Sequence, residues 1–592
     1  MKICISNGIT LSLLISLSAC VSNTLKPENE SENGVTSAKL DTEKGRQIQP
    51  QEPFDEKPGD VQFDNPVADL VYQIFIAELA TKKGNPEIAS SFYLNAAKES
   101  KNPKVAARAV RIASFAEKTE DALEAAKIWT ETDPENSEAS RVLAVLYLRN
   151  EQFDEAQAVL GKLLDTTDEE SVSRNILLTG AMLQREATKE GAAKIALFLT
   201  ELYPKRAESH YIHASLAMQA EQPKVALKSI ESAIKIRPDW VESVILYPRI
   251  LQENDKSEDA VKFLADFLKK HPKEDAVRLT YARTLVDHRQ LEDARSQFEL
   301  LAVKMPNNHD VIFALAMLSM QFKEYDEAKG YLNQLDKMGK ANPQVIFYLG
   351  QIEEQKKDFD AAIDWYKKLT PGEYFVEAHM RISVILAKTK TIEAAINHLH
   401  QIPVSSEQEK REIILFEGNL LRDFKHYEKA YAYYTKLIEK TPEDQELLYF
   451  RALVAERLNK IDVVIRDLSY VIEKDPENSA ALNALGYTLA DRTNKLNEAL
   501  KLIQRARDLE PDDPAIIDSL GWVNYRIGNL DEAIALLQEA MEKIDDGEVA
   551  AHFGEVLWAK GEKEKAINIW KKAKEKFSDN EILLKTMERF GQ

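Results

Sequence analysis

The chain has 592 residues and a formal net charge of −20, from 78 Lys and Arg against 98 Asp and Glu. One ordinary globular core does not hold so many residues, so the chain is either several domains in series or a repeat array. The acidic balance argues against a nucleic-acid partner, because phosphate backbones repel it. Gly and Pro are scarce for this length, with 20 and 21 residues, and that composition favours helix.

Residues 1–19 are predicted to be a lipoprotein signal peptide. A positive charge at Lys2 precedes an apolar run over residues 9–17, which is too short for a stable bilayer anchor. The run ends in Leu-Ser-Ala-Cys, which resembles a lipobox, so we expect lipid on Cys20. Because Val21 stands where an Asp would favour retention in the inner membrane, the resemblance implies the periplasmic face of the outer membrane. The alternative is an ordinary secretory signal with a chance cysteine.

Residues 20–66 are predicted to hold the lipidated Cys20 and a disordered tether. From Thr24 to Pro66 the chain is rich in Glu, Asp, Lys, Ser, Gln and Pro, with almost no apolar periodicity. Such a segment cannot bury enough apolar surface to offset its ordering entropy. A flexible chain of this length reaches roughly 35–40 Å, enough to lift a folded body off the lipid headgroups.

From residue 67 to residue 577 one pattern recurs with a period near 34. A small residue marks each unit, and a large apolar or aromatic residue often follows four places later. Another small residue, such as Gly350, Gly418 or Gly554, often stands twelve places before the marker. A proline, such as Pro476 or Pro511, often stands twelve places after it. The fifteen markers are Ala89, Ala122, Ala156, Ala192, Ala226, Ala260, Ala294, Ala328, Ala362, Ala395, Ala430, Val464, Ala499, Ala533 and Ala566.

This pattern resembles the tetratricopeptide repeat, which has two antiparallel helices per unit. The resemblance implies an all-α superhelical solenoid of about fifteen helix pairs, because a single pair cannot bury its apolar face alone. Residues 578–592 read as a C-terminal helix that caps the last pair. Pro248 falls inside an expected first helix and predicts a kink or a local break. The unit marked by Ala395 is weak, with Pro371 and Pro403 nearby, which makes it a candidate joint.

No catalytic, cofactor or metal motif is recognisable in the sequence, so we expect no enzyme activity, no cofactor and no small-molecule substrate. The two cysteines, Cys4 and Cys20, lie at the extreme N-terminus. His210 and His213 are three apart on a predicted helix but lack a third ligand, so polar groups on a helix surface are the favoured interpretation. Two further histidines, at positions 398 and 400, are two apart and face different sides of a helix.

Residues 481–491 (ALNALGYTLAD) and 518–523 (DSLGWV) carry a second resemblance. Together with the lipobox, tether and repeat number, they are similar to the long repeat lipoproteins (LbcA-like) that partner a carboxyl-terminal processing protease in Gram-negative bacteria. The resemblance implies an adaptor that binds the protease and brings it cell-wall hydrolases, mainly peptidoglycan endopeptidases, for proteolysis. Two alternatives stay open: a structural scaffold of a secretion, pilus or exopolysaccharide machine, and an enzyme with a sparse site.

A row of large aromatic residues in the last units is the predicted partner-binding site. In this repeat family, certain positions of the first helix face the inner groove, and aromatic side chains dominate binding hot spots. Exposed aromatics in a groove are unusual unless something covers them. The equal alternative is that they pad contacts between adjacent units. The candidates are Tyr449, Tyr487, Trp522, Tyr525 and Trp558.

Overall fold

The computed structural model describes residues 57, 61, 63, 65–165, 169–339 and 342–592. Within these residues the chain forms 31 α-helices and no strand, which confirms the predicted all-α repeat fold. The predicted signal peptide, Cys20 and nearly all of the predicted tether lie outside the described residues.

The helices follow one another as fifteen pairs and one final helix. Odd-numbered helices are the first helices of their pairs, even-numbered helices are the second, and α31 stands at the predicted cap. They are α1 Pro66–Lys82, α2 Pro86–Ser100, α3 Pro103–Phe115, α4 Thr119–Thr132, α5 Ser137–Arg149, α6 Phe153–Leu164, α7 Glu169–Glu186, α8 Lys189–Leu202, α9 Ala207–Gln219, α10 Pro223–Ile236, α11 Val241–Gln252, α12 Ser257–Lys270, α13 Asp275–Asp287, α14 Leu291–Lys304, α15 His309–Gln321, α16 Tyr325–Met338, α17 Pro343–Gln355, α18 Phe359–Tyr366, α19 Phe375–Thr389, α20 Ile392–Leu399, α21 Glu407–Asp423, α22 Tyr427–Ile438, α23 Gln445–Arg457, α24 Ile461–Lys474, α25 Ser479–Arg492, α26 Leu496–Leu509, α27 Pro514–Ile527, α28 Leu530–Lys543, α29 Gly547–Ala559, α30 Lys563–Lys576 and α31 Glu581–Arg589.

The turn between pairs has a repeated local cause. A proline stops the second helix, and an Asn or Asp two residues later caps the next first helix. Pro476 lies just past α24, and the Asn478 side chain then accepts a hydrogen bond from the Ala481 backbone N–H at 3.0 Å. Pro511 and Asp513 do the same before α27, where the carboxylate accepts two N–H groups. The recurring proline therefore marks the end of a second helix, and the Asn or Asp two residues later marks the start of the next first helix.

The marker residues lie at the closest helix contacts. All fifteen are buried, with 3% exposure or less. Each sits on the second helix of its pair and faces the first helix, so the small side chain lets the two backbones approach. The regular spacing of these residues therefore reflects their burial between the two helices of each pair.

Glycines on several first helices leave room for a large side chain of the second helix. A Cβ added at Gly554 would lie 2.1 Å from the Trp570 indole nitrogen, and one at Gly350 would lie 2.5 Å from the Tyr366 ring. Both aromatic side chains are completely buried. The glycine and the aromatic residue, sixteen places apart, are therefore one packing unit.

Pro248 does not break the array, so the predicted local break was wrong. Helix α11 continues through it from Val241 to Gln252, and α11 contacts α12 and α13. Val244, Pro248 and Ile250 are all buried. Burial of the surrounding apolar side chains holds the helix together despite the lost backbone hydrogen bond.

The prolines at 371 and 403 do coincide with an irregularity. The second helices α18 and α20 are eight residues long, whereas α10 and α24 have fourteen. Pro371 and Pro403 follow these short helices directly, in segments without helical structure. The missing turns leave space beside the next pair.

The chain divides into two compact units, residues Met1–Leu335 and Asp336–Gln592. In unit 1, α1 to α9 share a continuous apolar core that extends from Ile76 to Leu216. In unit 2, α31 packs on the last pair, with Leu583 and Met587 buried against Trp570. Helix α31 therefore covers the apolar end of α29 and α30, as predicted for a cap.

Candidate protein-binding site

Three consecutive first helices of unit 2, α25, α27 and α29, pack side by side. Both stretches that carry the second resemblance lie on these helices, residues 481–491 on α25 and residues 518–523 on α27. Tyr487 on α25 reaches His552 on α29, past the intervening helix, with 3.5 Å between the hydroxyl and Nε2. Side chains two repeats apart can meet only if the first-helix side of unit 2 is concave.

A buried histidine lies at the centre of this surface. The Nδ1 atom of His552 is 3.0 Å from both carboxylate oxygens of Asp518. The Trp522 ring stacks on the imidazole, with 4.2 Å between ring centroids. Tyr487 donates its hydroxyl hydrogen to Glu548 at 3.2 Å. We call these five residues the His552 cluster.

The charges around His552 favour its protonated form. Burial alone would lower its pKa, but the Asp518 carboxylate, with Glu548 and Glu555 further away, raises the pKa to about 9. Burial raises the pKa of Glu548, a shift that His552 opposes. The cluster is thus an imidazolium–carboxylate pair that ties α27 to α29 at neutral pH.

The structure brings three of the five predicted aromatic residues together around this cluster. Tyr487 and Trp522 belong to it, and Tyr525 lies 5.2 Å from Trp522 between ring centroids. Trp522 is 6% exposed, and its indole N–H donates to Asp491 at 3.3 Å. Tyr525, half-buried, donates its hydroxyl hydrogen to Glu555 at 3.3 Å. These side chains bridge neighbouring repeats, and Trp522 presents little surface to a partner.

The other two candidates lie elsewhere. Tyr449 is half-buried on α23 beside Phe450, with ring centroids 5.6 Å apart. Trp558 stacks on Trp570, with ring centroids 5.9 Å apart, and lies tilted against Phe590 at 5.3 Å, so it belongs to the contact with the capping helix. Whether any of the five binds a partner stays a prediction, with the half-buried tyrosines the better placed.

An ion pair bridges the concave side of unit 2. Lys425, in the turn between α21 and α22, lies 2.5 Å from Glu581 on α31, although 156 residues separate them. Both side chains are more than half exposed, so water and salt screen the pair, and exposed pairs of this kind add little stability. Opening this side to admit a partner therefore costs little at this contact.

Sequence reasoning missed the charged members of the His552 cluster. Asp518 and His552 are 34 residues apart, one repeat period, which places them at the same position on adjacent first helices. That spacing was available in the sequence. It is a weak indication, because every surface position of a repeat also recurs at the same interval.

The predicted histidine pairs take part in packing. His213 Nδ1 is 2.9 Å from the Ser229 hydroxyl and His210 Nε2 is 2.9 Å from the Pro204 carbonyl oxygen. His398 stacks on the imidazole of residue 379, with 3.0 Å between ring nitrogens. In the part of the chain that the structure describes, no group of three or more His, Cys, Asp or Glu is placed to hold a metal ion.

Two further predictions concern the membrane. Cys20 lies outside the described residues, so its lipidation stays a prediction. Among the residues that are described, no helix has both the length and the apolar character needed to span a bilayer.

Comparison with known proteins agrees with this architecture. Two family models described as tetratricopeptide repeat match residues 116–174, and residues 313–374 and 488–548. The TPR repeat-containing protein PA4667 of Pseudomonas aeruginosa is 34% identical over 487 residues, which are 82% of either chain. Among solved structures, TTC0263 of Thermus thermophilus is 20% identical, with a TM-score of 0.29, over 32% of this chain and 100% of its own. Pseudomonas aeruginosa pilF is 19% identical, with a TM-score of 0.30, over 35% and 96%.

The helix pairs and their matched small and large residues define a helical-repeat protein, a class that typically acts as a non-catalytic scaffold for protein–protein interaction. More specifically, the chain belongs to the tetratricopeptide repeat family, since it shares a third of its residues with a repeat-containing relative over most of both chains.

Proposed function

We propose that this scaffold is a lipid-anchored periplasmic adaptor. It binds a carboxyl-terminal processing protease together with that protease's cell-wall hydrolase substrates, mainly peptidoglycan endopeptidases, and promotes their proteolysis. Holding protease and substrate on one scaffold converts their encounter into an intramolecular event at high effective concentration. The adaptor itself carries out no bond cleavage.

The observation that supports this proposal most is where the resembling residues lie. Residues 481–491 and 518–523 lie on the first helices α25 and α27, where most of them are buried, and the partly exposed ones are Asn483, Ala484, Tyr487 and Asp491. In a repeat array the first helices line the surface that receives partners. Tyr487 and the other partly exposed residues of these stretches therefore lie on a first helix that is placed to receive a partner.

Affinity capture tests the partner. The full chain is purified from cell envelopes through a C-terminal tag, and co-purifying proteins are identified. The proposal expects a carboxyl-terminal processing protease and at least one endopeptidase. Recovery of secretion, pilus or exopolysaccharide components in their place would support the structural-scaffold alternative.

Replacement of Cys20 by Ala tests the anchor. Since we assign membrane attachment to lipid on this residue, the variant should move from the membrane fraction to the soluble periplasmic fraction. Cys4→Ala is the matched control, because Cys4 lies in the predicted signal peptide and should not affect attachment. A Cys20→Ala protein that still sediments with membranes after a high-salt wash places the anchor elsewhere.

A further inference from the structure

The short helix α20 leaves a cavity in unit 2. A regular second helix such as α24 has fourteen residues, but α20 ends after eight, at Leu399. The chain then runs without helix to Ser406, past Pro403. The turns missing from α20 leave a cavity of about 500 Å³ between this segment, α21 and α22. Its volume is in the range of small-ligand and side-chain pockets.

Aliphatic side chains form part of the wall of this cavity. Ile413 and Ile414 line it from α21, and Leu437 lines it from α22. The segment after α20 contributes Val404, which is 43% exposed. A second helix of regular length would cover these side chains. The cavity therefore offers apolar surface that the chain's own repeat pattern normally fills.

Lysines stand at one end of the cavity. Lys436 on α22 and Lys440 in the turn that follows it are exposed, and neither makes an ion pair with any residue that the structure describes. Because Glu439 keeps helical backbone angles and the Lys440 N–H donates to the Leu437 carbonyl oxygen at 3.0 Å, the two lysines lie about one turn apart. Lys410 on α21 adds a third positive charge, which Glu407 accompanies at 3.4 Å.

The opposite end of the cavity carries a negative charge. Glu417 lies two helical turns beyond Lys410 on the same helix, about 10 Å away at 1.5 Å per residue. Its carboxylate is buried and lies 2.8 Å from His400 Nε2. A carboxylate entering the cavity is therefore attracted to the lysine end and repelled at the Glu417 end, which gives the site a direction. We call it the lysine-rimmed groove.

We propose that the lysine-rimmed groove binds a segment of a partner protein in which aliphatic side chains are flanked by two carboxylates about one helical turn apart. The aliphatic side chains take the place of the missing turns of α20, and the carboxylates pair with Lys436 and Lys440. Such docking is helix-in-groove recognition with charge complementarity. A fatty acid fits less well, because it brings one carboxylate where the groove presents two unpaired lysines.

A peptide binding assay tests this site on the purified full chain. The probe is a fluorescein-labelled helical peptide of about twelve residues, with leucines one turn apart and flanking glutamates. Two variants of it replace either every Glu by Gln or every Leu by Ala. The glutamate–leucine peptide should bind most tightly. Substitution of Lys436→Glu and Lys440→Glu together should weaken it by about tenfold, since two exposed charge pairs contribute about 1.4 kcal/mol in total.

Lys224→Glu with Lys228→Glu is the matched control. These lysines are also exposed, four residues apart on the regular second helix α10, and unpaired among the described residues. The control should bind the peptide within about twofold of the natural chain. Equal losses in both variants, no binding of the glutamate–leucine peptide, or displacement by equimolar laurate would each overturn the proposal. So would self-association of the chain through this groove. The assay contains neither protease nor hydrolase, so it can fail independently of the proposed function.

Discussion

At the scale of single residues, two kinds of contact set the geometry of unit 2. Small residues fix how closely the helices of a pair approach, and the His552 cluster fixes how neighbouring first helices align. The small residues recur at the repeat period, and Asp518 and His552 of the cluster lie one period apart. The contacts of the small residues stabilise the fold mainly through close packing. The buried ion pair of the His552 cluster stabilises it only while the imidazole is protonated.

The His552–Asp518 pair should make stability depend on pH. The pKa of His552 is about 9 in the folded chain, above its ordinary value of 6.5. A raised folded-state pKa gives a contribution that is complete below pH 6.5 and is lost as the pH rises toward 9. The urea midpoint of the natural chain should therefore fall between pH 6.5 and 9, and His552→Gln should remove that part of the fall.

His213→Gln is the control for this experiment. Burial lowers the pKa of His213, the opposite direction to His552, so this histidine should contribute no loss of stability as the pH rises above 6.5. A His552→Gln chain with the natural slope would show that the imidazole is not charged in the folded state.

Single residues also show which features of the structure could be predicted from the sequence. The marker alanines were predictable, because a small residue that recurs at a fixed spacing indicates a close contact between helices. The role of Trp522 was not, since an aromatic residue at a groove position suits both a partner and a neighbouring repeat. In the structure the Trp522 indole stacks on the imidazole of His552, so it serves the contact with the neighbouring repeat. A sequence pattern within one repeat does not predict such a contact.

At the scale of helices, a pair is held together by matched shapes. Gly554 on α29 and Trp570 on α30 are the tightest example, since an added Cβ would overlap the rigid, completely buried indole. The sequence predicted this pairing of small and large residues. It did not predict that α11 tolerates Pro248, because the burial that stabilises that helix comes from other helices.

Gly554→Ala should destabilise the C-terminal pairs. Alanine has the higher helix propensity by about 1 kcal/mol, but overpacking a rigid contact costs about 1–3 kcal/mol, so the net effect should be a loss. Gly330→Ala on α16 is the comparison, because an added Cβ there meets no atom within 4 Å. Chemical unfolding should show stabilisation at Gly330 and destabilisation at Gly554. If both substitutions changed the free energy of unfolding in the same direction, the account of matched shapes would be contradicted.

At the scale of the whole chain, the regular spacing of the marker residues does not indicate where the chain divides into two compact units. The division between residues 335 and 336 falls between the markers Ala328 and Ala362, which are 34 residues apart like their neighbours. A sequence period reports that units are equivalent, but it does not report how strongly successive units are held together. The repeat fold that the sequence predicted is confirmed, and within it the structure distinguishes two compact units, which the period alone does not indicate.

Ala294→Arg tests whether coupling runs between neighbours. Ala294 is fully buried on α14, packed with Phe298 and Leu315. A larger, charged side chain there should cost more than about 3 kcal/mol, from overpacking and from an unpaired buried charge. Hydrogen exchange should accelerate in α13 to α15 and stay at natural levels in α25 to α31, because a repeat array transmits strain mainly to adjacent units. Uniform acceleration along the chain would contradict this.

The central claim is that the chain increases proteolysis by holding protease and substrate together. The most direct measurement is the cleavage rate of a purified peptidoglycan endopeptidase by the purified carboxyl-terminal processing protease, with and without this chain. The account predicts a rise in rate with added chain, then a fall at large excess as protease and substrate occupy separate scaffolds. A cleavage rate unchanged at every concentration of the chain would contradict the claim.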